Sequence, residues 1–154
     1  MLNDEIKNYI NRSVLCWLAT ADADGMPNVS PKEMFTYKGD DTLLIAHIAS
    51  PNSITNIETN ANVCVSFVDI FVQKGCKMKG RAKIIRANDA GFEEDKRLLT
   101  ELYSDQYPIK AIIKIAITQI ASIVAPSYFL YDTTTEQSQI QSAMETYGII
   151  PKQT

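Results

Sequence analysis

Histidine is almost absent from this sequence, because His47 is the only one among 154 residues. Histidine-based metal sites and most serine–histidine–aspartate arrangements would all have to use that one side chain, and no P-loop or nucleophile-elbow pattern is present. We therefore predict no metal site, and no residue is assigned a catalytic role. A general base is one interpretation of His47. The interpretation that we prefer is a partly buried strand residue whose ring is hydrogen-bonded.

Cysteine and long apolar runs are also scarce. Cys16, Cys64 and Cys76 are odd in number, show no CxxC spacing and lie in apolar segments, which is typical of reduced core thiols in an intracellular protein.

The first residues carry acidic side chains and no apolar targeting segment, so we expect a cytoplasmic protein. Residues 111–124 are strongly apolar, but Lys114 interrupts them and they are shorter than the ~20 residues of a membrane span. They predict a long strand and no membrane contact.

An excess of basic residues is missing too. The formal net charge of −3 gives no bulk attraction to nucleic acid, which we do not expect as a partner. The local exception is a strand that alternates small or apolar residues with the cations Lys77, Lys79, Arg81 and Lys83. A nucleic-acid stripe is one interpretation, but such alternation usually gives a solvated face over an apolar one. One or two of these cations could instead lie beside a bound phosphate.

Hydrophobic periodicity predicts strands with short turns and only short helices, in a single domain of residues 1–154. The six predicted strands are residues 14–20, the return strand after a turn at 22–25, and residues 42–47, 63–68, 76–85 and 111–124. The predicted helices are residues 3–11, a short helix capped by Ser50, residues 89 to about 104, and residues 136–147. Alternating βαβ units are absent. We therefore predict a mainly β fold with short α-helices, in the form of a small barrel.

Two prolines interrupt the return strand. Pro27 and Pro31 lack the N–H that a strand interior needs, so something other than a neighbouring strand should meet this part of the backbone.

Two apolar segments indicate association between copies of the chain. Residues 14–20 are apolar on both strand faces, and the predicted loop 69–75 is too apolar to be merely solvated. A lone barrel would expose both segments, so we predict a homodimer. Trp17, within the first segment, is interpreted as a core residue rather than as a cofactor stack.

Two Ser-Pro steps, at residues 30–31 and 50–51, are the strongest local signal for a ligand. The helix that begins after Ser50 offers free backbone N–H groups at residues 52–53, which is a general solution for phosphate. Most Ser-Pro helix starts are simply caps. This one gains weight because Lys32 follows the other Ser-Pro step.

Four segments combine these signals: residues 19–32 (ATADADGMPNVSPK), 43–57 (LLIAHIASPNSITNI), 60–65 (NANVCV) and 79–82 (KGRA). In their order and spacing they resemble the pyridoxamine 5′-phosphate oxidase-like FMN-binding split-barrel family, over about residues 10–126. The resemblance implies a six-stranded split β-barrel that dimerises, with FMN at the subunit interface. It also implies that a flavin lies against the strand that contains the two prolines.

The resemblance implies three groups of cofactor contacts. They are Ser30, Pro31 and Lys32 beside the isoalloxazine ring, His47, Ile48 and Ala49 beside the ribityl chain, and Ser50, Asn52 and Ser53 at the phosphate. Many relatives have lysine or arginine where this sequence has Asn52. Part of the phosphate charge would then be met by Lys32, by a basic-strand cation such as Lys79 or Arg81, or by the partner chain.

The resemblance implies an FMN-dependent oxidoreductase of unknown substrate, with an electron donor such as NAD(P)H. A non-catalytic flavin carrier or sensor is one alternative, and a split barrel that uses a deazaflavin such as F420, or haem, is another. FAD is not distinguished from FMN. The founding oxidase grips its substrate through arginine and histidine in a longer C-terminal region. Residues 147–154 carry neither, so we do not expect a vitamin B6 oxidase.

Overall fold

The computed structural model describes residues 1–103 and 106–151, which form one seven-stranded antiparallel sheet and five short helices. The strands are β1 (Cys16–Ala21), β2 (Pro27–Lys32), β3 (Phe35–Lys38), β4 (Thr42–His47), β5 (Asn62–Asp69), β6 (Lys74–Arg86) and β7 (Ala111–Val124). The helices are α1 (Asp4–Arg12), α2 (Pro51–Thr59), α3 (Phe92–Thr100), α4 (Ser127–Leu130) and α5 (Glu136–Tyr147). The predicted mainly β fold class is confirmed, but the prediction of six strands is wrong by one.

The additional strand arises from a break in the predicted return strand. Strand β2 pairs with β1, whereas β3 pairs with β4, and the strand order β2-β1-β5-β6-β7-β4-β3 puts β2 and β3 at opposite edges. Only Glu33 and Met34 connect them. In a flat sheet the two edges would be about 29 Å apart. The Cα atoms of Lys32 and Phe35 can be at most about 11 Å apart, so the sheet must curl until the end of β2 lies close to the start of β3.

The edge position of β2 explains its prolines. Every second N–H of an edge strand has no strand partner, and a separation of four residues puts Pro27 and Pro31 in the same phase. Sheet pairing alone therefore accommodates both prolines, without a ligand.

The curled sheet encloses the main core. Leu18, Phe35 and Phe67 are buried there, and the rings of Phe35 and Phe67 meet edge to face with centroids 5.2 Å apart. Helix α3 covers a second apolar cluster, which includes Leu44 and Phe92, on the outer face of β4 and β7. Helix α2 packs across β1, β2 and β6.

Two glycines permit close approach between strands. A Cβ atom at Gly75 would lie 1.9 Å from the carbonyl oxygen of Phe67, and one at Gly80 would lie 2.4 Å from that of Ala116. Gly80 also adjoins a register shift between β6 and β7. Strand β6 thus relies on glycine for its close approach to β5 on one side and to β7 on the other.

Several element boundaries differ from the predictions. Strands β5 and β6 extend into the predicted loop 69–75 and leave only a turn at residues 70–73, with Gln73 at a φ of 56°. Helix α5 has its predicted bounds, whereas α4 was not predicted. Helix α3 is shorter than predicted, and the predicted end at Ser104 lies outside the described residues, as do residues 152–154. The described residues contain no helix with the length and hydrophobicity of a membrane span.

The three thiols are free, as predicted: Cys16 and Cys76 are buried and Cys64 is half-buried. Burial raises the pKa of Cys16 to about 12 and that of Cys76 to about 11, so both thiols are poor nucleophiles near neutral pH.

A buried carboxylate connects α3 to the sheet. Asp95 accepts hydrogen bonds from Lys38 at 2.9 Å and from Lys114 at 2.8 Å, and Lys38 also pairs with Glu94 at 2.9 Å. Burial raises the pKa of the Asp95 carboxyl, but the two lysines outweigh burial and hold the pKa below its ordinary value. This carboxylate thus joins α3 to β3 and β7.

Replacement of this carboxylate should destabilise the fold. We expect Asp95→Asn to lower the unfolding free energy by about 1–3 kcal/mol, because two lysines lose their shared counter-charge. The lowered folded-state pKa means that the contribution is complete above the ordinary Asp pKa of about 3.9 and is lost as pH falls through the folded value. Urea denaturation should therefore show a full difference at pH 7 that narrows below about pH 4. Glu94→Gln, which removes an exposed carboxylate from the same lysine, should cost less than about 1 kcal/mol; equal losses would contradict this account.

Candidate functional site

A cleft of about 170 Å³ opens where the chain crosses from β2 to β3. Its walls come from the end of β2, from the crossing and from the segment after β4. The lining residues are Pro31, Lys32, Glu33, Met34, Ala46, Ile48, Ala49, Ser50 and Tyr107. The curl of the sheet therefore brings together five of the predicted cofactor residues, from two segments that are distant in sequence.

Lys32 is the buried charged group of this cleft, whereas Glu33, which also lines it, is exposed. The Lys32 side chain is 5% exposed, and its Nζ donates a hydrogen bond to the Ser50 hydroxyl. No carboxylate lies within ion-pair distance of it in the described part of the chain. Burial lowers the pKa of the Lys32 ammonium. The fold thus holds an uncompensated buried cation beside an open space, which is costly unless an anion joins it.

The N-terminus of α2 lies next to this cation. Ser50 was predicted to cap the helix, but its side chain makes no capping hydrogen bond. Its hydroxyl instead accepts a hydrogen bond from Lys32. Asn52 is exposed, and the backbone N–H groups of Asn52 and Ser53 have no acceptor among residues 1–103 and 106–151. Unpaired N–H groups and the positive end of the helix dipole both favour an anion at this place.

The side chains of Ser30 and Ser53 belong to a hydrogen-bonded network between α2 and the sheet. Their hydroxyl oxygens are 3.0 Å apart, and Ser53 is only 1% exposed. Next to them, Thr20 Oγ1 accepts from Asn28 at 3.2 Å and from Asn56 at 3.0 Å. The network fixes the start of α2 against β1 and β2. What Ser53 offers to a ligand is therefore its backbone N–H.

Sequence analysis missed Thr20, Asn28 and Asn56. The period of each element could have identified them. Asn28 stands two residues before Ser30 on one face of β2, and Asn56 stands three residues after Ser53 on one face of α2.

His47 lies at the end of β4, near Lys32. Its Nδ1 atom is buried and has no hydrogen-bond partner among the described residues, so the prediction of a satisfied ring is wrong. Burial lowers the pKa of His47, and the positive charges of Lys32 and Lys110 lower it further. The ring is therefore a neutral imidazole at pH 7, with one unused nitrogen.

Within one chain, Lys79 and Arg81 lie away from Lys32 and from the N-terminus of α2. Lys32 pairs with buried Cys16 and thus faces the core, whereas Lys79 and Arg81 are on the exposed face of β6. Strands β1 and β5 separate β2 from β6, a distance of about 14 Å. The alternation predicted for the basic strand is confirmed as a solvated face over an apolar one.

Trp17 is not a core residue, contrary to its interpretation from the sequence. It is 47% exposed and lines an apolar groove of about 450 Å³ between β1, the end of α1 and the β5–β6 turn. Val14 and Ile70 belong to the same groove and are 82% and 49% exposed. The two apolar segments singled out in the sequence are therefore neighbours on one surface.

The described residues contain no group of three side chains able to hold a metal ion.

Comparison with known proteins adds a family match. The family model described as pyridoxamine 5′-phosphate oxidase matches residues 2–136. No curated protein matches the chain.

Solved structures share the fold over most of the chain. HupZ of Group A Streptococcus is 27% identical with a TM-score of 0.68, over 81% of this chain and 99% of HupZ. An FMN-binding protein from Syntrophomonas wolfei is 16% identical with a TM-score of 0.68, over 79% of this chain and 86% of that one. HutZ, the haem storage protein from Vibrio cholerae, is 23% identical with a TM-score of 0.62, over 80% and 94%. A split barrel of this kind therefore occurs with more than one cofactor.

Lys32→Met should stabilise the ligand-free protein, because it removes a buried cation that has no counter-charge. We expect a gain on the order of 1 kcal/mol in the free energy of unfolding, measured in urea at pH 7. Since burial lowers the folded-state pKa of Lys32, the wild type should gain stability as pH rises through that lowered pKa towards the ordinary lysine value of about 10.4, and the variant should lack this component. Lys77→Met, on the exposed face of β6, is the control and should change little. A destabilised Lys32→Met protein would show that the ammonium is already well compensated.

Proposed function

We propose that this chain, which belongs to the pyridoxamine 5′-phosphate oxidase family, is a homodimeric FMN-binding flavoprotein that acts as an oxidoreductase. The observation that carries the proposal is the buried, unpaired ammonium of Lys32 beside the open N-terminus of α2. A phosphate monoester would supply the missing negative charge and accept hydrogen bonds from the free N–H groups.

The residues present fit each part of FMN. The phosphate would lie at the Ser50 hydroxyl, the N–H groups of Asn52 and Ser53, and Lys32. Ile48 and Ala49, which follow His47 directly, line the cleft where the ribityl chain would lie.

The apolar part of the cleft suits the flavin ring. Pro31, Met34 and Ala46 supply an apolar lining there, beside the exposed Glu33. When bound, the flavin supplies hydride or electron transfer, while the chain supplies binding and orientation. The space in front of this apolar lining determines which substrate and which electron donor can reach the flavin.

The cleft is too small for a whole flavin, which supports the proposed dimer. Its volume of about 170 Å³ is below the 300–1,000 Å³ that is usual for a ligand of this size. A partner chain packed on the groove around Trp17 would add a second wall. Lys79, which shares the outer face with that groove, is the cation that we propose as a contribution to the partner's cofactor.

Haem is the second candidate. It is favoured by one observation, since the single histidine, His47, is half-buried directly before the cleft residues Ile48 and Ala49, and HutZ is a haem storage protein of the same fold. The absorption spectrum of the purified protein distinguishes flavin from haem and from a deazaflavin. Bleaching of the bound flavin by NAD(P)H, with reoxidation by a panel of acceptors, then separates a catalyst from a carrier or sensor.

The site should prefer FMN to riboflavin by about a hundredfold, or roughly 3 kcal/mol, because riboflavin has the same ring without the phosphate. Lys32→Ala should weaken FMN at least about tenfold and leave riboflavin almost unchanged, whereas His47→Ala should have a smaller effect on FMN. Fluorescence titration of the apo-protein at fixed ionic strength measures all of these affinities. Equal FMN affinity in Lys32→Ala and wild type, with loss in His47→Ala, would disprove the phosphate assignment.

The protein should sediment as a dimer at micromolar concentration, with more than about 1,000 Å² buried in a two-fold interface. Trp17→Glu should shift it to monomer and also weaken FMN, because the charge is placed in the centre of the apolar groove. Phe129→Glu, at a residue that is 76% exposed elsewhere on the surface, is the matched control and should remain dimeric. A wild type that is monomeric in analytical ultracentrifugation would rule out the interface.

A further inference from the structure

A second cluster of cations surrounds a recess on the outer face of the sheet, away from the cleft. The recess has a volume of about 420 Å³ and is lined by Arg81 and Lys83 of β6 and by Lys114 of β7. Its other walls are small side chains, such as Ala61 and Ala116, which leave the space between the cations open.

The sheet places two of these cations directly opposite each other. Lys83 pairs with Lys114 in the register of β6 and β7. Residues in such positions have Cβ atoms about 4.5–5.5 Å apart, and like charges there are destabilising. Asp95 compensates Lys114 through its contact at 2.8 Å.

The remaining two cations have no counter-charge. The Arg81 guanidinium donates to the side-chain oxygen of Asn62 at 3.2 Å, and Lys83 has neither an ion pair nor a hydrogen bond within the described ranges. Asp41 carries the neighbouring carboxylate, which accepts from the Thr42 hydroxyl at 2.9 Å and pairs with neither cation. Two positive charges are therefore left at the recess of a chain whose net charge is −3.

We propose that the recess formed by Arg81, Lys83 and Lys114 binds a small oxyanion with two or more negative charges, of the phosphate or carboxylate type. The planar guanidinium of Arg81 can hold either group through two parallel hydrogen bonds, and Lys83 adds a point charge. The bound anion would also relieve the repulsion between Lys83 and Lys114. The recess is separate from the Lys32 cleft and does not depend on the cofactor proposed there.

Thermal unfolding of the full chain tests this site. The protein is titrated with inorganic pyrophosphate and, separately, with citrate, at an ionic strength held constant with sodium chloride. We expect a saturable rise in melting temperature with at least one of the two. Arg81→Gln and Lys83→Gln should each weaken the response about fivefold or more, whereas Lys77→Gln, on the same face of β6 but outside the recess, should retain it. Because the Lys32 cleft also favours an anion, each titration is repeated in the Lys32→Met background, where the response that depends on Arg81 and Lys83 should be retained.

Chemical labelling gives an independent readout. Acetylation of Lys83, followed by mass spectrometry, should slow at least fivefold at saturating anion, while acetylation of Lys77 is unchanged. A response to pyrophosphate alone identifies a phosphate site, and one to citrate alone a carboxylate site. The proposal is overturned if neither anion gives a saturable response, if Lys77→Gln loses as much as Lys83→Gln, or if only Lys32→Met abolishes binding.

Discussion

The connection between β2 and β3 is the constraint on which the rest of the structure depends. Two residues, Glu33 and Met34, join the opposite edges of a seven-stranded sheet, and this is possible only if the sheet closes on itself. Closure creates the interior that Phe35 and Phe67 fill. It also brings the end of β2 against the start of α2, so that Lys32 meets Ser50. The core and the candidate site are thus two results of one short connection.

The treatment of buried charge differs between the two sides of the molecule. Where α3 is joined to the sheet, Asp95 neutralises Lys38 and Lys114 at ordinary ion-pair distances. At the cleft, Lys32 is more deeply buried than either of those lysines but receives only a neutral hydroxyl. The chain supplies a counter-charge to two half-buried lysines and supplies none to the more deeply buried Lys32. That contrast within one structure is a stronger argument for a ligand than the lysine alone would be.

Sequence reasoning succeeded where the information is local. The period of residues 136–147 and the alternation in β6 depend on near neighbours, and both were predicted correctly. The break after Lys32 was missed because the residues on both sides of it favour strand, and the change of partner from β1 to β4 is set by the whole sheet. The predictions that Trp17 is a core residue and that the His47 ring is hydrogen-bonded were wrong for a related reason. Segments far away in sequence determine which face of a strand is covered. They also determine whether a ring nitrogen has a hydrogen-bond partner.

The prolines of β2 have a consequence for how copies of this chain can meet. An open sheet edge normally invites another strand, and that pairing can repeat without limit into fibres. Pro27 and Pro31 lack the donors that such an added strand requires, and they occupy the outermost strand on that side of the sheet. Growth by strand addition is therefore blocked at this edge. The chain keeps an exposed, partly apolar surface available for association while its most vulnerable backbone cannot act as a template for aggregation.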